Sequence, residues 1–211
     1  MATRRGERGG FKLSDGTSVS LGAESRLTIP ASYGSGGVRA VVLEGEAYFE
    51  VTANPARRFT VTTRFGVAEA LGTEFGVNTY PEVRGMRVVV AAGRVAVRAR
   101  PTDSLDLVTL SKGDMVRLDR AGKPTVSRVD PAAYLAWTRG AIRFDGVPLA
   151  RAIPVLERWY DTDIRLADSS LAGRPLTGQF KDQSLDQVVD LIARALNLRV
   201  VRESGRITFD L

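Results

Sequence analysis

VVVAAGRVAVRA, residues 88–99, is an alternating apolar run, a glycine, and a second alternating run. A glycine between two runs of period two reads as the tight turn of a β-hairpin, where a residue without Cβ enters positive φ freely. The same design occurs in FKLSDGTSVSL at 11–21, VVLEGEAYFEV at 41–51 and LVTLSKGDMVRL at 107–118, with Gly16, Gly45 and Gly113 in the place of Gly93. FTVTT at 59–63 adds a further short strand. Hairpins of one design, each with an apolar face to cover, predict an all-β domain over residues 1–130, a sandwich or roll of jelly-roll type.

Beyond residue 130 the period changes from two to about 3.6. AGKPTVSRVDP at 121–131 carries two prolines and a glycine and reads as a linker, and AAYLAW at 132–137 suggests one or two helical turns. Shifting 149–164 by 36 residues superposes Leu149 on Leu185, Ala152 on Val188, Ile153 on Val189, Leu156 on Ile192, Tyr160 on Leu196 and Ile164 on Val200. Each copy reads as an amphipathic helix, started by Pro148 or Ser184 and followed by a short strand. Asp182 or Ser184 is the candidate cap of the second. AIRF at 141–144 and PLTGQF at 175–180 precede the helices as strands, and RITFDL at 206–211 adds a last one. The prediction for 131–211 is a small two-layer α/β domain, βαβ followed by βαβ, with two helices on one face of a short sheet. Its last strands, ending with 206–211, are expected to offer an open edge.

Composition narrows the chemistry. The 211 residues are 44% hydrophobic, enough for an ordinary core, and contain neither cysteine nor histidine. That excludes disulfides and thiolate sites, and it removes the commonest general base and most zinc sites. No apolar run approaches the roughly 18 residues of a membrane-spanning helix. The first ten residues, MATRRGERGG, are followed by no apolar signal region, so the start reads as a cut end. The net charge is +6, with 19 Lys and Arg against 14 Asp and Glu in 1–130 and 11 against 10 in the remainder. These cations are dispersed, which favours a solvated surface over a nucleic-acid site.

Several side chains are candidates for a site. LGTEFGV at 71–77 lies between strand pairs, so Gly72-Thr73 reads as a turn or strand corner where a hydroxyl meets a peptide bond. Asp161, Asp163 and Asp168 cluster in sequence but lack the glycine and distal glutamate of a calcium loop, and read as turn acids. Glu44, Glu46 and Glu50 alternate and read as one polar strand face rather than a glycosidase pair. Trp137, Trp159 and Tyr160 read as packing residues of the domain join and a helix.

In order, LSDGTSVSLGAESRL at 13–27, LEGEAYFEV with NPARRFTV to Val61, LGTEFGV, and AAGRVAV resemble successive blocks of the FecR family of periplasmic regulators. AWTRGAIRFDGVPLARAIPVLERWY at 136–160 resembles that family's join to its carboxy-terminal domain, and the duplicated unit is similar to the short domain shared by secretins and TonB-dependent transporters. The resemblance implies the periplasmic region of an inner-membrane signal transducer, without turnover and without a cofactor. Its implied partners are the signalling domain of a TonB-dependent outer-membrane transporter, as in iron and siderophore uptake, and an extracytoplasmic-function sigma factor. The sigma factor would be held by a cytoplasmic segment, and the membrane reached by an upstream helix, neither with a counterpart in these residues. The family also implies possible self-cleavage between Gly72 and Thr73. Thr73 would attack the Gly72 carbonyl, with Glu74, a backbone group or water taking the proton. The alternative to a signal receiver is a periplasmic glycan- or peptidoglycan-binding β module.

Overall fold

In the computed structural model, which describes residues 1–35, 39–100 and 107–211, the chain divides into two units, Met1–Leu135 and Ala136–Leu211. The strands of the first unit are β1 (Gly9–Lys12), β2 (Ser18–Leu21), β3 (Arg26–Thr28), β4 (Arg39–Glu44), β5 (Glu46–Glu50), β6 (Phe59–Thr62) and β7 (Gly66–Ala70). They continue with β8 (Glu74–Asn78), β9 (Gly85–Ala92), β10 (Arg94–Ala99), β11 (Val108–Ser111), β12 (Asp114–Asp119) and β13 (Pro124–Arg128), and the short helix α1 (Pro131–Tyr134) closes the unit. Two sheets result, ordered β1-β2-β5-β8-β9-β12-β13 and β11-β10-β7-β6-β4-β3. One core lies between them, to which the first sheet contributes Phe49, Phe75 and Val88 and the second Leu43, Phe59 and Val95. Alternation along each strand sends these residues inward, as in sheets packed face to face.

The β-rich character matches the expectation, but the glycine turns do not all make hairpins. Gly16 does: β1 pairs antiparallel with β2, Phe11 opposite Val19. The strands on either side of Gly45, of Gly93 and of Gly113 lie in different sheets. Those three glycines therefore carry the chain across the core as arches. The hairpins fall one strand out of phase, at β6–β7, β8–β9, β10–β11 and β12–β13, all antiparallel. Gly45 and Gly93 are single residues between strand ends, shorter than the two-residue loop that commonly reverses a chain within a sheet. The patterns look alike because both flanking strands of an arch turn their apolar residues toward one shared core. Gly93 sits at φ 79°, in the left-handed region that glycine enters without strain.

The second unit contains β14 (Ala141–Pro148), α2 (Leu149–Tyr160), β15 (Asp163–Leu166), β16 (Pro175–Lys181), α3 (Leu185–Leu196), β17 (Arg199–Glu203) and β18 (Arg206–Asp210). Ala152, Ile153 and Leu156 of α2 and Val188, Val189 and Ile192 of α3 enter one core. These are the positions the 36-residue offset superposes. The cap of α3 is Ser184, whose hydroxyl accepts from Gln187 N–H while the Gln187 side chain accepts from Ser184 N–H.

Two expectations are corrected here. The strands form two sheets rather than one, an antiparallel pair β14-β16 and a triplet β15-β18-β17. The terminal strand is not an edge: β18 pairs parallel with β15 and antiparallel with β17, so both of its sides are used. A tight reversal after Glu203 lays β18 against β17, and its other side then receives β15. The open edges of the triplet belong to β15 and β17.

Candidate functional site

Leu71–Thr73 forms the arch from β7 in the six-stranded sheet to β8 in the seven-stranded one. Two backbone bonds hold it to the segment after β5: Val51 N–H donates to Thr73 O at 3.0 Å and Asn54 N–H to Leu71 O at 2.7 Å. Gly72 is exposed, and neither it nor Thr73 has positive φ. Its need for glycine comes from close approach, since a Cβ there would lie 2.8 Å from the Ala53 Cα. The next arch stacks on this one. A Cβ on Gly93 would lie 2.9 Å from both Gly72 O and Thr73 Oγ1.

Thr73 is 4% exposed, and its hydroxyl donates to Arg94 O at 2.8 Å. That bond pins one arch to the strand leaving the other. Glu74, the next residue, is exposed and accepts from the Tyr48 hydroxyl at 3.1 Å. Strand alternation sends the two neighbouring side chains to opposite faces. The acceptor at the Thr73 hydroxyl is thus a backbone carbonyl, which is a poor base, while the carboxylate faces outward. Gly72 and Thr73 are brought together with Gly93 and Arg94, and Glu74 is not.

The remaining candidates are dispersed. Asp161 is the left-handed cap of α2 at φ 51°, Asp163 lies on β15, and Asp168 caps the short turn Ser169–Gly173 by accepting from Ser170 N–H at 2.7 Å. That backbone bond holds the Asp168 carboxyl below the usual carboxylate value. Glu44, Glu46 and Glu50 do not share a strand face as expected: Glu44 ends β4 in one sheet, and the others lie on β5 in the other. The arch at Gly45 separates them. Glu46 accepts from Asn78 Nδ2 at 2.7 Å. Trp159 and Tyr160 pack against the second core, and the Tyr160 hydroxyl donates to Gln183 O at 3.0 Å. Trp137 lies in the turn Ala136–Arg139, its Nε1 buried without a hydrogen-bond partner among the described residues.

A buried ionic cluster was not legible in the sequence. Arg39 is 2% exposed and donates from Nη1 to Asp15 Oδ2 and Thr52 O, both at 2.8 Å, and from Nε and Nη2 to Arg57 O at 3.1 and 2.7 Å. Its guanidinium carbon lies 5.9 Å from the Phe59 ring centre. Asp15 also accepts from Thr17 N–H at 3.0 Å and Thr17 Oγ1 at 2.9 Å. Burial alone would raise the Asp15 carboxyl, but the Arg39 and Thr17 bonds outweigh it and hold the group below its ordinary value. Burial and the Asp15 charge push the Tyr33 phenol far up. The cluster ties the β1–β2 turn to the segment between β5 and β6, the role of a staple rather than a reactive site. The only hint in sequence was Asp15 in an Asp-Gly turn.

Residues 1–96 match the family model described as FecR protein, and residues 141–209 the one described as FecR, C-terminal. Two crystal structures of a protein from Parabacteroides distasonis, provisionally described as an anti-sigma factor and determined at 1.65 and 2.50 Å, are similar in fold. Each has a TM-score of 0.88 at 28% identity, over 99% or 100% of this chain and 97% of the other. Among curated proteins, no sequence matches this chain.

Proposed function

The chain belongs to the FecR family, and from that premise we propose that it is the periplasmic, signal-receiving region of a sigma-factor regulator. It works by binding rather than turnover. The signal comes from the signalling domain of a TonB-dependent outer-membrane transporter, and it passes through a membrane helix to a cytoplasmic segment acting on an extracytoplasmic-function sigma factor. One observation carries this reading: both FecR models match in order, on a fold with a TM-score of 0.88 over 99% of the chain to a protein described as an anti-sigma factor.

The second unit is the proposed receiver, with the short secretin and TonB-transporter domain as its relative; its duplicated strand–helix–strand pattern supports that kinship. The contact is assigned to β17, an edge strand whose Val201 is 48% exposed. An incoming strand would complete its hydrogen bonds. Calorimetry of the chain with the transporter signalling domain tests this. We expect saturable binding, weakened roughly tenfold by Val201→Asp, about 1.4 kcal/mol, with an unchanged melting temperature. Absence of binding heat from the intact chain would sink the receiver reading.

Self-cleavage at Gly72-Thr73 is a second reading, supported by the Thr73 hydroxyl and Gly72 carbonyl oxygens both lying beside Gly93. Thr73 Oγ1 would attack the Gly72 carbonyl carbon, the C–N bond would break, and the hydroxyl proton would pass to the freed amine. Water would then hydrolyse the ester to a Gly72 carboxylate and a chain beginning at Thr73. Mass spectrometry after long incubation should show both fragments from the parent and an intact Thr73→Ala chain. A parent chain that stays whole ends this reading.

A further inference from the structure

We propose that the outer edge of β13 is a second docking site, which takes an acidic extended segment of a partner as an added strand of the seven-stranded sheet. The site lies in the first unit and does not depend on the receiver reading. Register fixes which backbone groups are open. Asp119 N–H donates to Lys123 O at 3.1 Å and Val129 N–H to Gly113 O at 2.9 Å, and Val116 stands opposite Val126. The odd-numbered residues of this strand therefore face β12. Backbone groups alternate sides, so the N–H and C=O of Val126 and Arg128 point outward, where no strand follows in the sheet.

The side chain at the centre of this edge is uncovered as well. Val126 shares a face with Val116, yet Val116 is 0% exposed and Val126 51%. The cause is topological. The six-stranded sheet ends at β11, which the Gly113 arch joins directly to β12, so β13 extends past it with no strand of the described residues left to face it. The ends of the edge carry a proline and a charged side chain, as edge strands commonly do. Pro124 has no N–H, and the Arg128 guanidinium is folded back on Lys112 O at 2.8 Å and Asp114 at 3.0 Å. The middle is left open.

Charge selects the occupant. Lys112, Arg117, Arg120 and Lys123 are exposed around this edge. The nearby acids are fewer: Asp114 is ion-paired with Arg128, while Asp119 and Asp130 accept from the backbone N–H groups of Ala121, Lys123 and Ala132 and keep their charge. The remaining field is positive, which suits a strand alternating apolar and acidic residues. A second copy of this chain would bring the same cations and is disfavoured.

The test uses the intact 211-residue chain and fluorescence anisotropy with short labelled peptides of alternating valine and glutamate, or valine and lysine. We expect the glutamate peptide to bind, more weakly as salt rises, and the lysine peptide not to bind. Val126→Pro should lower affinity at least about tenfold with the melting temperature kept, because proline is tolerated where the N–H faces away from the ladder. Hydrogen exchange reads the same edge without a substitution: the Val126 and Arg128 amides should exchange fast in the free chain and slow with the peptide. Equal binding of both peptides, an unaffected Val126→Pro variant, or protection at other amides overturns the proposal. So does a dimer that Val126→Pro abolishes, which would make a second copy the occupant, or binding to anionic lipid vesicles without binding to the peptide.

Discussion

In the first unit the segments around Gly45, Gly93 and Gly113 repeat one local pattern, yet the strands each glycine joins lie in different sheets. In the second unit 149–164 and 185–200 repeat a pattern too, and there the apolar positions of both copies enter or pack against one core. A repeat of period two records only that successive strands turn an apolar face inward. It is silent about which strand each one pairs with. A repeat of helical period over a dozen residues specifies which face of each helix is buried, and packing has little freedom left.

The largest effects are expected in the two cores. Phe49 lies 5.3 Å from Phe59 of the facing sheet and 5.4 Å from Phe75 of its own, measured between ring centres, so it bridges what the arches connect. Phe49→Ala should cost about 3–5 kcal/mol. Both tryptophans, Trp137 and Trp159, lie in the second unit, so their fluorescence reports that unit while circular dichroism reports both. Denaturant titration should show the Phe49→Ala loss in circular dichroism with the fluorescence transition unmoved. Coincident shifts would mean that the two units unfold as one.

Substitutions at turn glycines should cost less. Gly93→Ala places a methyl group 2.9 Å from Gly72 O and Thr73 Oγ1 at φ 79°, whereas Gly205→Ala, at φ 74°, meets nothing within 4 Å. We expect about 2–3 kcal/mol for the first and about 1 kcal/mol for the second, from the left-handed penalty alone. Equal costs would show that the stacked arches yield easily. A smaller effect belongs to the second unit: Ser184→Ala removes the α3 cap and should cost about 1 kcal/mol, seen in tryptophan fluorescence.

The smallest effect is one of pH and belongs to the first unit. Asp15 has a folded pKa below its ordinary 3.8. Its contribution is therefore fully present above that value and is lost as pH falls through the lower, folded one. The first unit should lose stability through this acid range, and Asp15→Asn should flatten the loss while lowering stability at neutral pH. Urea melts followed by circular dichroism at a series of acid pH values check the slope.

Much of the fold was legible for physical reasons that act locally. Strand alternation, positive-φ glycines and helix periodicity are properties of short segments, and they located the β-rich region and the two helices, and narrowed the α3 cap to Asp182 or Ser184. Strand partners were not legible, because an arch and a hairpin impose the same alternation on the residues around a glycine. The candidate step Gly72-Thr73 was visible as a corner. Its surroundings were not: the Thr73 hydroxyl finds Arg94 O only because two arches stack. Glu44 and Glu46, two residues apart, were read as one face and belong to different sheets.

Local pattern in the chain fixed the two long helices, most of the strands and the ordered blocks that mark the family, but 121–131 reads as a linker and holds the strand β13. How those segments meet emerges in the folded molecule alone. Folding made arches of apparent hairpins, put β18 in the middle of its sheet, buried Arg39 on Asp15, and left Val126 uncovered at the centre of β13. Pairing and coverage depend on residues far apart in the chain, and no local pattern encodes which distant backbone will satisfy a given strand.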